Sequence, residues 1–173
     1  MDRPPRLRAL VVAGPSGSGK TTVGLALAAR LGWTFADADA YHGAAARRQM
    51  SRGEGLTDAQ RGPWLDRLHA LLRRHVADGP PVVLACSALH DGLRDRLIGS
   101  LDAVGIVWLE VGRAELDRRL ARRPTHFAGP SLLPSQLDAA VPPPPGPRAV
   151  VVDAEEPPGR IVGQIASWLK AER

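Results

Sequence analysis

One short motif near the N-terminus constrains the fold of this chain more than any other feature. The residues from Gly14 to Thr21 read GPSGSGKT and match the pattern GxxxxGK[S/T] at every fixed position. An apolar segment, Leu7–Ala13, precedes the motif, and Thr21–Leu31, with apolar residues at helical spacing, follows it. A strand, this loop and a helix in that order identify a phosphate-binding loop.

The chemistry of phosphate binding explains why these residue types stand at these positions. Glycines let the backbone curl so that its N–H groups point at phosphate oxygens, and the following helix adds its dipole. Lys20 can neutralise the β- and γ-phosphates, and the Thr21 hydroxyl can ligate Mg²⁺. The sequence therefore predicts ATP and Mg²⁺ as ligands. The predicted nucleotide-binding residues of this segment are Gly14, Ser16, Gly17, Ser18, Gly19, Lys20, Thr21 and Thr22.

The remainder of the chain alternates between short apolar runs and helical patterns. The further predicted strands are Trp33–Ala38, Val82–Cys86, Gly105–Val111 and Ala149–Val152. The further predicted helices are Thr57–Val76, Asp91–Leu101, Ala114–Arg122 and Gly159–Lys170. This alternation predicts an α/β fold in which helices cover both faces of a parallel sheet. We expect residues 1–173 to form a single domain, because the chain shows neither a repeat nor a second pattern.

Composition narrows the class of protein. The 173 residues contain one cysteine, Cys86, which excludes an internal disulfide and favours a cytoplasmic location. No run approaches the roughly 18 apolar residues of a membrane span, and we expect neither a signal peptide nor membrane association. The net charge is +5, but aromatic residues make up only 4%, which disfavours stacking on nucleic acid bases. The dispersed histidines give no zinc-site spacing.

Two carboxylates follow the second predicted strand. The strand ends with Asp37-Ala38-Asp39, and His42 lies just beyond it. Strand alternation predicts that Asp37 and Asp39 share a face, at the edge of the sheet where the phosphate-binding loop lies. We expect Asp37 to hold Mg²⁺ through water, and Asp39 to orient or deprotonate an attacking hydroxyl. His42 is a candidate to bind acceptor hydroxyls.

Several other residues are candidates for binding or packing. A guanidinium pairs with a carboxylate in a forked geometry, so Arg61 is expected to grip an anionic acceptor. Trp64 and Cys86 are expected to pack in the core rather than line a pocket. Asp153 and Pro157, after the last strand, are expected to shape an adenine pocket.

Several blocks of the sequence resemble gluconate kinases. They begin with Asp37 to His42 and continue with Met50-Ser51-Arg52-Gly53-Glu54-Gly55-Leu56-Thr57-Asp58 and Arg61-Gly62-Pro63-Trp64-Leu65. Later blocks are Cys86-Ser87-Ala88-Leu89, Arg94-Asp95, His126-Phe127, Leu132-Leu133 and Ser135-Gln136. With the phosphate-binding loop, they cover most of the chain in family order.

The resemblance implies a fold, a reaction and further site residues. The fold is that of shikimate and nucleoside-monophosphate kinases, a five-stranded parallel sheet of order 2-3-1-4-5 with a mobile lid, here about residues 123–134. The reaction is ATP-dependent phosphorylation of D-gluconate to 6-phosphogluconate, and family members are commonly homodimers. Arg119, Arg122 and Arg123 are expected to reach the phosphates, with Arg123 the best match to the lid arginine. The resemblance places His90 and His126 near the acceptor.

Some positions depart from the family pattern. Gly43, Ala46 and Gln49 stand where the family usually has proline, asparagine and lysine. His90 replaces a lysine, and Leu93 a tyrosine. The loss of two lysines predicts weaker binding of gluconate, since each charge-assisted hydrogen bond contributes about 1.5–3 kcal/mol.

Three functions therefore stay open on the sequence alone. The first is a gluconate kinase. The second is a kinase of the same fold acting on another sugar acid or on a sugar-bearing natural product, as antibiotic-inactivating phosphotransferases do. The third is a non-catalytic nucleotide-binding regulator. A GTPase is disfavoured because the chain lacks the NKxD motif that reads guanine.

Overall fold

A computed structural model describes residues 6–122 and 133–171 of the chain. The five strands are Ala9–Ala13 (β1), Thr34–Asp37 (β2), Val82–Ala85 (β3), Val104–Glu110 (β4) and Ala149–Asp153 (β5). The helices are Lys20–Leu31 (α1), Ala44–Ser51 (α2), Asp58–Ala77 (α3), Asp91–Ile98 (α4), Arg113–Ala121 (α5), Leu133–Ala139 (α6) and Pro158–Ala171 (α7). A 3₁₀ turn, Ala38–Tyr41, follows β2.

The strands form one parallel sheet in the order β2-β3-β1-β4-β5. This order confirms the fold that the sequence predicted. β1 lies at the centre, where Val11 pairs with Leu84 on one side and Ile106 on the other. All five residues of β1 are buried, as expected of a strand covered on both faces. The phosphate-binding loop therefore leaves the most deeply buried strand of the sheet.

Two hydrophobic cores flank the sheet. On one face α3 and α4 contribute Leu65, Leu68, Leu72 and Leu97 to a core around β1 and β3. On the other face, residues of α1 and α7 pack against β1, β3, β4 and β5. The sheet is thus fixed on both sides, and the loops at the carboxyl ends of its strands share one edge.

The region between β2 and α3 differs from the sequence-based prediction. The sequence predicts a strand to Ala38 and no further element before Thr57, whereas β2 ends at Asp37 and α2 follows the 3₁₀ turn. The Asp37 carboxylate accepts a hydrogen bond from the backbone N–H of Asp39, which ends the strand and caps the turn. No residue of α2 is buried, and its eight residues are too short a segment for helical periodicity to identify it from sequence.

The later part of the chain differs from the prediction by one additional helix, α6, Leu133–Ala139. Residues 141–147, rich in proline, form no helix or strand. Leu133 and Pro134, predicted to lie in the loop, instead belong to α6. The rest of the predicted lid, residues 123–132, lies outside the described residues. Within the described part of the chain, no helix is both long and apolar enough to cross a membrane.

Candidate active site

The phosphate-binding loop has the backbone that its glycines predict. Gly14, Gly17 and Gly19 all have positive φ, at 147°, 83° and 97°. A Cβ on Gly14 would lie 3.0 Å from the carbonyl oxygen of Leu109, so that position excludes side chains on steric grounds as well. The Gly14 N–H donates to the Ser87 carbonyl, which ties the start of the loop to the segment after β3.

The predicted loop residues surround a cleft at the carboxyl ends of β1, β2 and β3. Its lining from the loop and α1 consists of Ser16, Gly17, Gly19, Lys20, Thr21 and Thr22. Ser18 is instead buried beneath the loop, and its hydroxyl has no hydrogen-bond partner in the described part of the chain. A buried, unpaired hydroxyl of this kind is uncommon and often marks a functional segment.

Lys20 and Thr21 lie at the base of this cleft. The Lys20 ammonium donates to the Pro15 carbonyl at 3.0 Å. Burial lowers its pKa, and the nearby charges of Asp39 and Asp37 act in the opposite direction. The Thr21 hydroxyl donates to the Asp37 carboxylate at 3.2 Å. A partly desolvated cation beside two hard oxygen donors suits a phosphate–Mg²⁺ complex.

Asp39 reaches the same cleft by a route that strand alternation did not predict. It lies in the 3₁₀ turn and not in β2, so the expectation that Asp37 and Asp39 share a strand face was wrong in its reasoning. Both carboxylates nevertheless line the cleft. The Asp39 side chain is 65% exposed, which leaves its oxygens free to meet a substrate.

His42 and Trp64 form one wall of the cleft. Their rings stack with centroids 4.5 Å apart and an interplanar angle of 9°. His42 is buried, its Nδ1 has no partner in the described residues, and its Nε2 lies 3.9 Å from an Asp39 oxygen. Burial lowers the pKa of His42, against the opposing charge of Asp39. Trp64 packs in the core as predicted, but it also lines the cleft, contrary to the prediction.

Arg61 stands on the same side of the cleft, on α3. Its guanidinium pairs with Asp58 one turn earlier at 3.0 Å, and its side chain is 36% exposed. The pair is accessible to solvent, so it contributes little to stability and can open for an anionic ligand. Met50, Gly55 and Leu56 add an apolar rim beside it.

The segment after β3 forms the floor. Ala85, Cys86 and Ser87 line the cleft, although Cys86 also belongs to the hydrophobic core as predicted. Burial raises the pKa of the Cys86 thiol to about 12. A thiol held neutral in this way is a packing group rather than a nucleophile.

Gln136 makes a contact with the phosphate-binding loop that was not predicted from the sequence. Its side-chain oxygen accepts a hydrogen bond from the Ser16 N–H at 2.8 Å, and Ser135 and Gln136 both line the cleft. The amide of Ser16 belongs to the group that faces phosphate in loops of this kind. The two residues are 120 positions apart, so no local pattern could have linked them.

A second hollow adjoins the outer side of the phosphate-binding loop. Arg119 lies across it, donating to the carbonyls of Ala154 at 2.8 Å and Ser18 at 3.4 Å and pairing with Glu115. The hollow is lined by Gly17, Ser18, Gly19, Thr22, Val23, Arg119, Arg122, Ala154, Glu156, Pro158 and Ile161. Asp153 and Pro157 do not line it, although the Asp153 carboxylate caps the Glu155 N–H and so shapes this loop.

Several predicted acceptor-side residues lie elsewhere. His90 does not line the cleft but precedes α4 as its N-terminal cap residue. The Gln49 side chain is bound to the Gly55 carbonyl and to Gln60, and Leu93 is buried in the core. Gly43 and Ala46, at the start of α2, also lie outside the lining. Arg123 and His126 lie outside the described residues.

The described residues give no cage for a metal ion made from protein alone. Within residues 6–122 and 133–171, no three His, Cys, Asp or Glu side chains form such a cluster. This arrangement fits Mg²⁺ in nucleotide enzymes, where one or two protein oxygens combine with phosphate oxygens and water. Thr21 and Asp37 supply oxygen donors of the required kind.

Sequence comparisons give a consistent family. A model described as "AAA domain" matches residues 10–140, about three quarters of the chain. Gluconokinase from Gluconobacter oxydans is 42% identical over 165 residues, covering 95% of this chain and 93% of that protein. These extents include both the phosphate-binding loop and the acceptor side of the cleft.

Solved structures extend the agreement to three dimensions. A sugar kinase from Janibacter sp. superposes with a TM-score of 0.87 at 35% identity, covering 95% of each chain. A gluconokinase from Sinorhizobium meliloti gives a TM-score of 0.83 at 36% identity, covering 96% of this chain and 94% of that one. Sequence, sheet order and cleft therefore agree that the chain belongs to the gluconokinase family.

Proposed function

We propose that this protein catalyses ATP-dependent phosphorylation of D-gluconate to 6-phosphogluconate. The observation that carries the proposal is the meeting of Lys20, Asp37 and Asp39 in one cleft, within a chain 42% identical to a gluconokinase. Phosphoryl transfer needs a phosphate cradle and a group that orients the attacking hydroxyl, and the cleft offers both.

Each residue has a distinct role in this proposal. Lys20 and the loop amides stabilise charge on the transferring phosphoryl group. Thr21 and Asp37 would hold Mg²⁺, which would further neutralise the charge of the phosphates. Asp39 orients the attacking hydroxyl of gluconate and accepts its proton as the new P–O bond forms and the bond to the β-phosphate oxygen breaks. Arg61 binds the gluconate carboxylate, and His42 binds its hydroxyls.

The second hollow suits the base of the nucleotide. Arg119 and Pro158, a planar cation and an apolar ring, both line it, as do Glu156 and Arg122. A guanidinium stacks favourably on an aromatic face. We infer that adenine occupies this hollow, with its phosphates continuing into the loop. In this proposal Arg119 contacts the adenine base, whereas the sequence analysis expected it to contact the phosphates.

The altered acceptor positions do not favour a different substrate. The expectation of weak gluconate binding depended on lost lysines at Gln49 and His90, and neither side chain lines the cleft. Asp39, His42 and Arg61, which do line it, retain the hydroxyl and carboxylate contacts that a sugar acid requires. Gluconate is therefore the preferred acceptor in our proposal. We further infer a cytoplasmic location and a homodimer, as the family resemblance implies.

An acceptor panel at fixed MgATP tests the proposal. We expect the highest kcat/KM with D-gluconate, and at least a 100-fold loss of kcat in Lys20→Met, as for removal of a strong electrostatic stabiliser. Asp39→Asn is expected to lower kcat more than it raises the KM for ATP. A higher kcat/KM with another sugar acid would reassign the substrate. Hydrolysis of ATP that no acceptor stimulates would contradict the proposed reaction itself.

A further inference from the structure

The turn that carries Asp39 is held mainly through its backbone carbonyls. The Trp64 indole N–H donates to the Ala38 carbonyl at 2.8 Å. Arg67, also on α3, donates to the Tyr41 carbonyl at 2.8 Å. Side chains of α3 thus bind the first and the last residue of the 3₁₀ turn.

Arg47 on α2 completes this arrangement. Its Nη2 donates to the Ala40 carbonyl at 2.6 Å, and its Nε donates to the His42 carbonyl at 2.9 Å. One planar guanidinium therefore binds two carbonyls that flank the end of the turn. Because the fork of donors is rigid, it fixes the distance between these carbonyls as well as their direction.

Packing alone does not determine where the turn lies. Ala38 and His42 are buried, but Asp39 and Ala40 between them are exposed. α2 buries no residue, so it has no apolar face with which to dock against the core. The hydrogen bonds from Arg47 join the exposed part of the turn to this helix. A small displacement of Ala40 would move Asp39 within the cleft.

The two arginines make no competing ion pair. Among residues 6–122 and 133–171, neither Arg47 nor Arg67 lies within 4.0 Å of a carboxylate oxygen. Arg48, the next residue on α2, also lacks an ion pair, and its side chain makes no hydrogen bond in the same part of the chain. Charge alone therefore does not distinguish Arg47 from its neighbour, whereas geometry does.

We propose that Arg47 is a positioning residue for phosphoryl transfer, which holds Asp39 and His42 at the acceptor by bridging the carbonyls of Ala40 and His42. This inference rests on the proposed function. Arg47 does not line the cleft, so it acts through the turn and not through contact with substrate. Phosphoryl transfer depends on the alignment of the attacking hydroxyl, and errors of about 1 Å in such alignment cost roughly 100-fold in rate.

The first experiment compares Arg47→Met with Arg48→Met. Both variants remove one positive charge from the same helix and keep a side chain of similar length. For Arg47→Met we expect kcat to fall about 10- to 100-fold while the KM for MgATP changes less than about twofold. Arg48→Met is expected to resemble the parent protein. Equal kinetics in the two variants would overturn the proposal, as would a loss in Arg47→Met confined to the KM for MgATP.

A rescue variant separates positioning from general destabilisation. Gly43 joins the turn to α2 with φ −68° and ψ 161°, a conformation that proline adopts, and His42 before it is extended. A Cβ at Gly43 would meet no atom closer than 3.9 Å, so the start of a side chain has room there. Gly43→Pro in the Arg47→Met background stiffens this junction, and we expect it to restore kcat at least threefold. Restored thermal stability without restored kcat would overturn the positioning role.

The kinetics of the Arg47 variants test the positioning role separately from the identity of the acceptor. If the parent protein prefers another acceptor in the panel, the same variants are measured with that acceptor. The predicted fall in kcat in Arg47→Met then tests positioning independently of the identity of the sugar acid. If no acceptor is phosphorylated by the parent protein, the proposed function fails and the positioning proposal fails with it.

Discussion

At the scale of single residues, burial determines the protonation of His42. The imidazole stacks on Trp64 and is buried, which lowers its pKa from the ordinary value of 6.5. The folded protein therefore resists protonation of this ring more than the unfolded chain does. His42 accordingly contributes stability at pH values above 6.5, and that contribution is lost as the pH falls through this value toward the lowered pKa.

His42→Gln tests this linkage. The amide keeps polarity and similar size but does not titrate, so the free energy of unfolding of the variant should depend less on pH between about pH 8 and about pH 5.5. Urea unfolding of both proteins at each pH measures the difference. The two proteins are otherwise identical in sequence, so the pH dependence contributed by the rest of the chain cancels in the comparison. Identical pH dependences of the two unfolding free energies would contradict the burial argument.

The role of a single residue could be predicted from the sequence when its contacts are local, and was missed when they are made to residues distant in sequence. Lys20 and Thr21 belong to a continuous motif whose backbone is specified locally, and the structure places both in the cleft. Asp39 was predicted to lie at the cleft, and it does, but it was placed on a strand. It lies instead in a 3₁₀ turn that the Asp37 carboxylate caps. Gln136 and Arg47 were missed, since their roles depend on contacts made only after folding.

At the scale of elements, α5 joins the phosphate-binding loop to the end of β5. Arg119 makes this connection through the carbonyls of Ser18 and Ala154, whereas its neighbour Arg118 faces solvent and is 66% exposed. Both arginines form an ion pair with Glu115, so they differ chiefly in the carbonyls of Ser18 and Ala154, which Arg119 binds. α5 should therefore affect nucleotide binding through one of its two adjacent arginines only.

Arg119→Met is expected to raise the KM for MgATP. In our proposal the Arg119 guanidinium stacks on the base, and such a contact contributes about 0.5–2 kcal/mol, which corresponds to roughly 2- to 30-fold in affinity. Initial-rate kinetics with varied MgATP and saturating acceptor measure this effect, with Arg118→Met as the control. An equal rise in KM for the two variants would show that charge, and not the contacts of Arg119, supports nucleotide binding.

The elements also differ in how clearly the sequence predicted them. The strands and the helices α1, α3, α4 and α7 bury apolar residues at regular spacing, and the pattern identified each of them. α2 was not predicted, because it is only eight residues long and buries none of them. Elements that build the core are visible in a sequence, whereas an exposed helix held by polar contacts is not.

At the scale of the whole molecule, the proposed nucleotide site is assembled from parts that are distant in sequence. The loop after β1, α5 and the loop after β5 meet around the second hollow, and Gln136 of α6 reaches the loop from the other side. A bound nucleotide would therefore contact segments from both halves of the sheet. Because it binds the folded state only, it must stabilise the entire fold by linkage.

The last prediction concerns this stabilisation. A non-hydrolysable ATP analogue with Mg²⁺, at about 100 times its Kd, stabilises the folded state by about 2.7 kcal/mol. For a chain of this length each kcal/mol raises Tm by about 2–4 °C, so the expected shift is roughly 5–11 °C. Lys20→Met should lose most of this shift at the same analogue concentration but change little in Tm without ligand, since Lys20 is a partly desolvated cation bound only to a carbonyl in the described part of the chain. Differential scanning calorimetry measures both quantities. An undiminished shift in Lys20→Met would mean that the analogue binds away from the phosphate-binding loop, and a large fall in Tm without ligand would assign Lys20 a structural role.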